Sequence, residues 1–297
     1  MFNKIYNFVY RVYRILGRTI IRYSSNPRPS SYPYFTGDGL RNFADFIYDN
    51  TVKNIIPENV REKAIIFVGD SNIKKFFKET HPKIKNKYIL ISHNGDENID
   101  EELVRFIDDK ILKCYGINVF VKHQKIIPLP LGIENKHYYV NGIPWIFNRA
   151  SKKKIYKKTK IFYAFTVGTN SAERQPALEV IKNNPYGETI TKWLNFKQYI
   201  DLLKTYKFVV SPPGSCVEGH RTWDAMYLGV VPIVKRSVTT DYFEKIGLPL
   251  WVVDRWDNLN GLSEKDLDKK YNDIINNSDH SKLYIDYWTD KIKNLRD

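Results

Sequence analysis

Short apolar runs, each closed by glycine or small polar residues, recur along the middle of the chain. They fall at 64–68 (AIIFV), 88–92 (YILIS), 161–165 (IFYAF), 208–210 (FVV) and 230–234 (VVPIV). None alternates apolar with polar, which is the pattern of strands buried on both faces of a parallel sheet. Helical patterns sit between them. One runs through 74–77; one is N-capped by Ser171 and continues to Ile181. Another begins near Glu218, turns Trp223, Met226 and Tyr227 toward a core, and stops at Gly229, a residue type that tolerates a left-handed helix end. Strand, turn, helix and strand in this order read as βαβ crossovers. Two clusters of them, divided by the polar stretch 151–160, predict an α/β protein with a first half at 37–150 and a second at 161–297. The last part, 262–297, reads as polar helices with Tyr284, Tyr287 and Trp288 on one face. The last helix is expected to pack back across the first half.

The N-terminal residues 1–23 follow another rule. Arg11, Arg14, Arg18 and Arg22 recur at three- and four-residue spacings, with Lys4 seven residues earlier, and form one basic stripe. Phe2, Ile5, Phe8, Val9, Val12, Ile15, Leu16 and Ile20 occupy the other faces. The charges interrupt the apolar run, so it reads neither as a signal peptide nor as a bilayer span. An amphipathic helix on an anionic cytoplasmic leaflet is the expectation, with a helix packed on the protein itself as the alternative. Residues 24–36 are rich in serine and proline and read as a linker that lets this helix move.

Composition narrows the choice. Lys and Arg number 47 against 33 Asp and Glu, a formal charge of +14 over 297 residues. That balance points to a polyanionic partner: nucleic acid, an anionic membrane or a phosphorylated substrate. The run 151–160 (SKKKIYKKTK) is read as a solvated basic linker, with a second patch for anionic lipid or acceptor as the alternative. Two cysteines supply neither a disulfide framework nor a zinc site, and suit a reducing compartment. The histidines show no metal-ligand spacing. No Gly-x-Gly-x-x-Gly fingerprint appears, which argues against a dinucleotide enzyme.

The chemistry concentrates where strands end. Ser211, two prolines, Gly214 and Ser215 break the strand at 208–210 and allow close backbone approach by a phosphate. His220 and Arg221 then place donors at a helix start, where cations oppose the dipole unless an anion lies between them. Asp224, one turn on, suits a ribose diol. Arg174 occupies the comparable place after the Thr166–Asn170 turn, and the two arginines together suit a diphosphate. In the first half, Asp70, His93 and Asp96 follow strands. Asp96 is the first candidate for a general base, then Asp70, with His93 as a substitute. The plain reading of either aspartate is a turn or capping residue.

The run Ser-Pro-Pro-Gly at 211–214, His-Arg-Thr-Trp-Asp-Ala-Met at 220–226 and Leu-Gly-Val-Val-Pro-Ile-Val at 228–234 resembles the C-terminal signature of exostosin-like glycosyltransferases. The stretch 248–253 with Asp254 and Trp256, the His93-Asn94-x-Asp96 turn and the Pro130-Leu-Gly-Ile-Glu-Asn135 run are also similar, so the resemblance spans about 65–256. It implies a GT-B-like fold of two Rossmann-like domains with a cleft between them: an acceptor-side domain at 37–150 and a nucleotide-sugar-binding domain at 161–297. It implies inverting transfer of a hexosyl or pentosyl group from a nucleotide-sugar, with no further cofactor. Arg221 and Asp224 would belong to the donor nucleotide site, although the family usually has Glu at the latter position; Arg174 would join them. Thr166, Asn170, Ser211, Gly214, Ser215, Glu218 and His220 complete the candidate donor site. No Asp-x-Asp pair follows an apolar run, so a metal-dependent GT-A enzyme is disfavoured and no metal site is expected.

The resulting expectation is a cytoplasmic glycosyltransferase, peripheral on the inner face of the cell membrane. Its acceptor would be a lipid-linked or cell-surface glycan of polysaccharide, capsule or lipopolysaccharide type. An inactive membrane-recruited scaffold is the alternative, and a nucleic-acid-binding protein the less favoured one, since no nucleic-acid motif accompanies the charge.

Overall fold

The computed structural model describes residues 2–296, with side chains from Phe8 onward, so the side chains of Phe2, Lys4 and Ile5 lie outside the described residues. The chain opens with α1 (Phe2–Arg22) and α2 (Gly37–Phe43), the latter N-capped by Thr36. The first half continues through β1 (Phe46–Tyr48), β2 (Ala64–Gly69), α3 (Ile73–Glu79), β3 (Tyr88–His93), α4 (Glu101–Val104), β4 (Ile111–Gly116) and β5 (Ile126–Pro128). These strands pair in parallel in chain order, β1-β2-β3-β4-β5. Every position of β2 and β3 is buried, which is why their apolar runs are unbroken.

After α5 (Pro144–Ser151) the second half follows. It comprises β6 (Lys158–Phe162), α6 (Ser171–Asn183), β7 (Gly187–Glu188), α7 (Phe196–Leu203), β8 (Tyr206–Val210), α8 (His220–Tyr227), β9 (Val231–Lys235), α9 (Val238–Lys245), β10 (Trp251–Val253) and α10 (Glu264–Asn277). Its five strands are also parallel, ordered β10-β9-β8-β6-β7. The chain leaves β6 toward β7 on one side, then returns to place β8 on the other. The gap between β6 and β8 is therefore a topological switch point, where the loops at the strands' carboxyl ends diverge. The expectation of two parallel-sheet α/β halves with a cleft between them is met.

The last helix, α11 (Ile285–Lys293), leaves the second half and packs on the first. The Ile285 amide donates to the Pro33 carbonyl at 3.1 Å, and Trp288 is fully buried against Phe35 and Phe243. One hydrophobic core runs through both halves, joining Ile65, Phe67 and Ile89 of the first sheet to Phe162 and Val209 of the second.

Three boundaries differ from the sequence reading. Residues 31–36 are not linker: Ser31, Tyr34, Phe35 and Thr36 are buried, and Tyr34 bridges to Tyr284. The low apolar periodicity there reflects an irregular buried strap, not a solvated one. The basic run at 151–160 is only partly linker, since β6 begins at Lys158. Lys157 is drawn in to cap carbonyls, donating to those of Lys204 at 2.7 Å and Leu228 at 3.0 Å. Burial, with the Lys204 charge adding, lowers its pKa to about 7. Third, α6 is capped by Asn170, whose side chain accepts from the Glu173 amide, not by Ser171; both types cap well and the backbone selects the earlier.

Nor is α1 a loose appendage. Tyr10 is buried, the Tyr13 hydroxyl accepts from Trp145 Nε1 at 2.8 Å, and Arg14 Nε donates to the Tyr139 carbonyl at 3.2 Å. Gly17 lies so close under the Tyr139 ring that any Cβ would overlap it. Among the described residues no helix is long and apolar enough to cross a membrane.

Candidate active site in the interdomain cleft

The segments that follow β3 and β5 in one half, and β6 and β8 in the other, open onto a cleft of about 450 Å³. Its walls include His93, Asn94, Asp96, Glu134 and Asn135 on one side, and Thr169, Arg174, Gly214, Ser215, Cys216 and His220 on the other. A second cavity of about 350 Å³ adjoins it at His220 and is lined by Ala164, Ile190, Phe196, Tyr199, Arg221 and Asp224.

At the switch point, Arg174 from α6 reaches across to the turn after β8. Its Nε donates to the Pro213 carbonyl at 2.8 Å and its Nη1 to the Thr166 carbonyl at 2.9 Å. A Cβ on Gly214 would stand 2.7 Å from Arg174 Nη2, so a larger residue there would displace the guanidinium from its present place. Asn170 ties the same two loops, donating to the Gly214 carbonyl at 3.0 Å. Arg221 donates to the Ala164 carbonyl at 2.7 Å. Among the described residues neither arginine pairs with a carboxylate. Burial lowers the Arg174 pKa, and the Arg221 charge lowers it further, so the two cations repel each other. No side chain caps α8, which starts at His220 beside them.

Asp224 is buried at the base of the second cavity, and its Oδ1 has no hydrogen bond. Burial raises its pKa to about 8; Arg221 pulls the other way and Glu134 adds to the rise. His220 donates from Nδ1 to the Gly132 carbonyl at 2.8 Å, leaving Nε2 3.7 Å from Glu134.

Two of the candidate donor residues are placed as structural clamps. The Ser211 hydroxyl is buried and bonds Thr222 Oγ1 at 2.9 Å. Glu218 lines the cleft, but Oε1 accepts from the Leu131 amide and Oε2 from Trp223 Nε1, both at 2.7 Å. Burial raises its pKa to about 8. Thr166 is exposed; its carbonyl serves Arg174 and its hydroxyl bonds Thr169 at 3.3 Å.

On the other wall the three base candidates separate. Asp96 lines the cleft; Oδ1 accepts from the Cys216 thiol at 3.3 Å, and Oδ2 has no partner among the described residues. Asp70 is buried behind Gly95, where a Cβ would meet its Cγ at 3.1 Å. Neither of its oxygens has a hydrogen bond of ordinary geometry, although the amides of Asp70 and Glu97 approach. Burial, with Asp96 and Glu97 adding, raises its pKa to about 7. His93 is buried with both nitrogens engaged. Nδ1 accepts from the Asn94 amide at 2.7 Å and Nε2 donates to the Pro130 carbonyl at 2.9 Å. Burial lowers its pKa to about 4. A neutral ring held at both ends is poorly placed to take a proton.

The structure adds a polar network that the sequence reading passed over. Asp38, fully buried, accepts from Arg28 Nε at 2.8 Å, Asn94 Nδ2 at 3.1 Å and His137 Nδ1 at 2.6 Å, while its amide donates to Asn135 Oδ1 at 2.9 Å. Burial alone would raise its pKa; the hydrogen bonds from His137 and Arg28 outweigh this and lower it. The network fixes the His93–Asn94 turn that carries Asp96. The capping pattern at Thr36 with Asp38 in the first turn was the available signal; nothing local points to Arg28 or His137. Asn118, in a left-handed conformation, was also missed. It accepts from the Val217 amide at 2.8 Å and donates to the Asp96 carbonyl at 3.2 Å, joining the two walls. Among the described residues no three His, Cys, Asp or Glu side chains gather as a metal-ligand set.

No protein-family model matches the chain, and no curated protein matches it. Among solved structures it is similar to an OtsA apo structure, with 10% identity over 81% of this chain and 74% of that one, at a TM-score of 0.47. It is also similar to an α,α-trehalose-phosphate synthase (UDP-forming) from Burkholderia vietnamiensis, with 9% identity over 80% of this chain and 76% of that one, at 0.43. TarM gives 14% identity over 79% of this chain and 56% of that one, at 0.40.

Proposed function

We propose that the protein is an inverting glycosyltransferase that uses a nucleotide-sugar donor. The observation that carries this reading is the pair of guanidiniums without an ion-pair partner among the described residues at the switch point of the second sheet: Arg174 lines the cleft whose other wall presents Asp96, and Arg221 lines the adjoining cavity. The nucleoside would fill the cavity of Ile190, Phe196 and Tyr199, with Asp224 on the ribose. The diphosphate would lie between the two arginines and the uncapped start of α8. Asp96 Oδ2 would take the proton of the acceptor hydroxyl as its oxygen attacks the anomeric carbon. The bond from that carbon to the diphosphate breaks on the opposite face, and the arginines stabilise the departing charge. The acceptor would be a glycan that is lipid-linked or at the cell surface, met at the inner face of the membrane, where α1 would hold the enzyme.

A thermal-shift screen against UDP-, GDP-, CMP- and dTDP-sugars, with and without EDTA, tests the donor site. A ligand that binds only the native state raises the melting temperature, by about 2.7 kcal/mol of added stability at a hundredfold excess over Kd. The expected result is a shift with one nucleotide that survives EDTA and is lost in Arg221→Ala with folding retained. No shift with any donor, in the presence or absence of acceptor, would sink the reading and favour a non-catalytic scaffold.

A further inference from the structure

The surface of α1 divides into three sectors. Tyr10, Tyr13, Arg14 and Gly17 face the body of the protein. Phe8, Val12, Ile15, Leu16 and Ile20 face water, with exposures from 39% to 70%. At 100° per residue, Arg11, Arg18 and Arg22 fall in an arc of about 40° between those sectors. An exposed apolar arc edged by cations suits a bilayer interface with anionic headgroups. The sector boundary also holds something that membrane attachment alone does not require. Arg11, Arg14, Ile15 and Arg18 form, with Tyr138 and Tyr139, a pocket of about 220 Å³. Among the described residues none of its three arginines pairs with a carboxylate. Arg14 uses Nε to dock on the Tyr139 carbonyl, leaving its terminal nitrogens without partners. Tyr138 lines both this pocket and the interdomain cleft.

We propose that this pocket binds the phosphate of a lipid-linked acceptor, a deepening that rests on the glycosyl-transfer reading. Three guanidiniums suit a phosphoryl group, which accepts several charge-assisted hydrogen bonds at once. The apolar side chain in the pocket wall, Ile15, leads onto the exposed arc, so the lipid chain leaves into the bilayer on that side. On the other side Tyr138 leads into the cleft, so the glycan attached to the phosphate reaches Asp96. The apolar arc distinguishes this ligand from a nucleic-acid phosphate, which would leave that arc in water.

The test uses the full chain and phosphatidylcholine vesicles that carry either a polyprenyl phosphate or phosphatidylglycerol, matched in surface potential. Binding to the polyprenyl phosphate vesicles is expected to be about tenfold tighter. The double variant Arg11→Gln with Arg18→Gln should bring that ratio to about one. Arg22→Gln, on the same flank but outside the pocket, should weaken both bindings alike and preserve the ratio. Equal affinity of the wild type for both vesicles, or a ratio that survives the double variant, would overturn the proposal. So would a dimer that neither vesicle dissociates, because the apolar arc would then belong to a second copy. The assay contains no nucleotide-sugar, so its outcome is separate from that of the donor screen.

Discussion

Burial, which the poorly aligned amides of Asp70 and Glu97 do not offset, raises the Asp70 pKa to about 7, far above that of an exposed aspartate. The sign of the consequence follows from proton counting. Between about pH 4 and pH 7 the unfolded chain releases this proton while the folded chain keeps it. Asp70 therefore contributes stability that is fully present below about pH 4 and lost as pH rises through 7. Asp70→Asn removes the titration at nearly constant shape. Its stability relative to wild type should rise by up to about 4 kcal/mol from pH 4 to pH 8, measured by urea unfolding. Glu218 and Asp224 titrate in the same direction at about 8, so the difference between the two proteins is the quantity to read. Parallel curves would show that Asp70 is charged and partnered, and would leave it free to act as a base beside Asp96.

At the scale of elements, the apolar runs located β2, β3 and β8 closely because the residues of those runs are buried on both faces of a sheet. The turn residues Gly214, Arg174 and Asp96 were legible for a related reason: parallel strands send their carboxyl ends to one edge. Which of those residues bind ligand and which brace the fold was not legible. Ser211 and Glu218 look like ligand groups in sequence, yet their partners, Thr222, Leu131 and Trp223, are set by folding. Asp38 and Arg28 meet through the strap at 31–36, whose burial no local pattern announces. The docking of α1 was likewise hidden, because it depends on Tyr139 and Trp145, more than a hundred residues away. It hinges on one position. Gly17→Leu places a side chain where the Tyr139 ring stands. The helix should leave the body, with faster amide exchange across residues 8–22, while the stability of the rest changes by less than about 1 kcal/mol. Unchanged exchange in that variant would mean that the contact with Tyr139 does not hold α1.

The whole molecule has two sheets but is not two independent bodies. A shared core crosses the interface, from Ile65 and Ile89 through Phe35 and Trp223 to Phe162 and Val209. The last helix closes it, with Trp288 of α11 packed on Phe35 from the first half and Phe243 from the second. Polar ties reinforce the joint at the cleft: Val217 to Asn118, Leu131 to Glu218 and Thr239 to the Val119 carbonyl. Separating the halves would expose these apolar faces to water at about 25 cal/mol for each Å², and would leave the buried Glu218 without its donor from Leu131. Neither half should therefore survive the loss of the other, although each has its own sheet. Scanning calorimetry is expected to show one transition, with equal calorimetric and van't Hoff enthalpies of about 200 kcal/mol for this length. Truncation before α11 should lower the midpoint of the whole transition and not release one half alone. Two resolved transitions in the intact protein would mean that the shared core is weaker than the cores beneath each sheet. The cleft would then be free to open by separation of the halves, and Asn118 would serve as a hinge contact instead of a fixed joint.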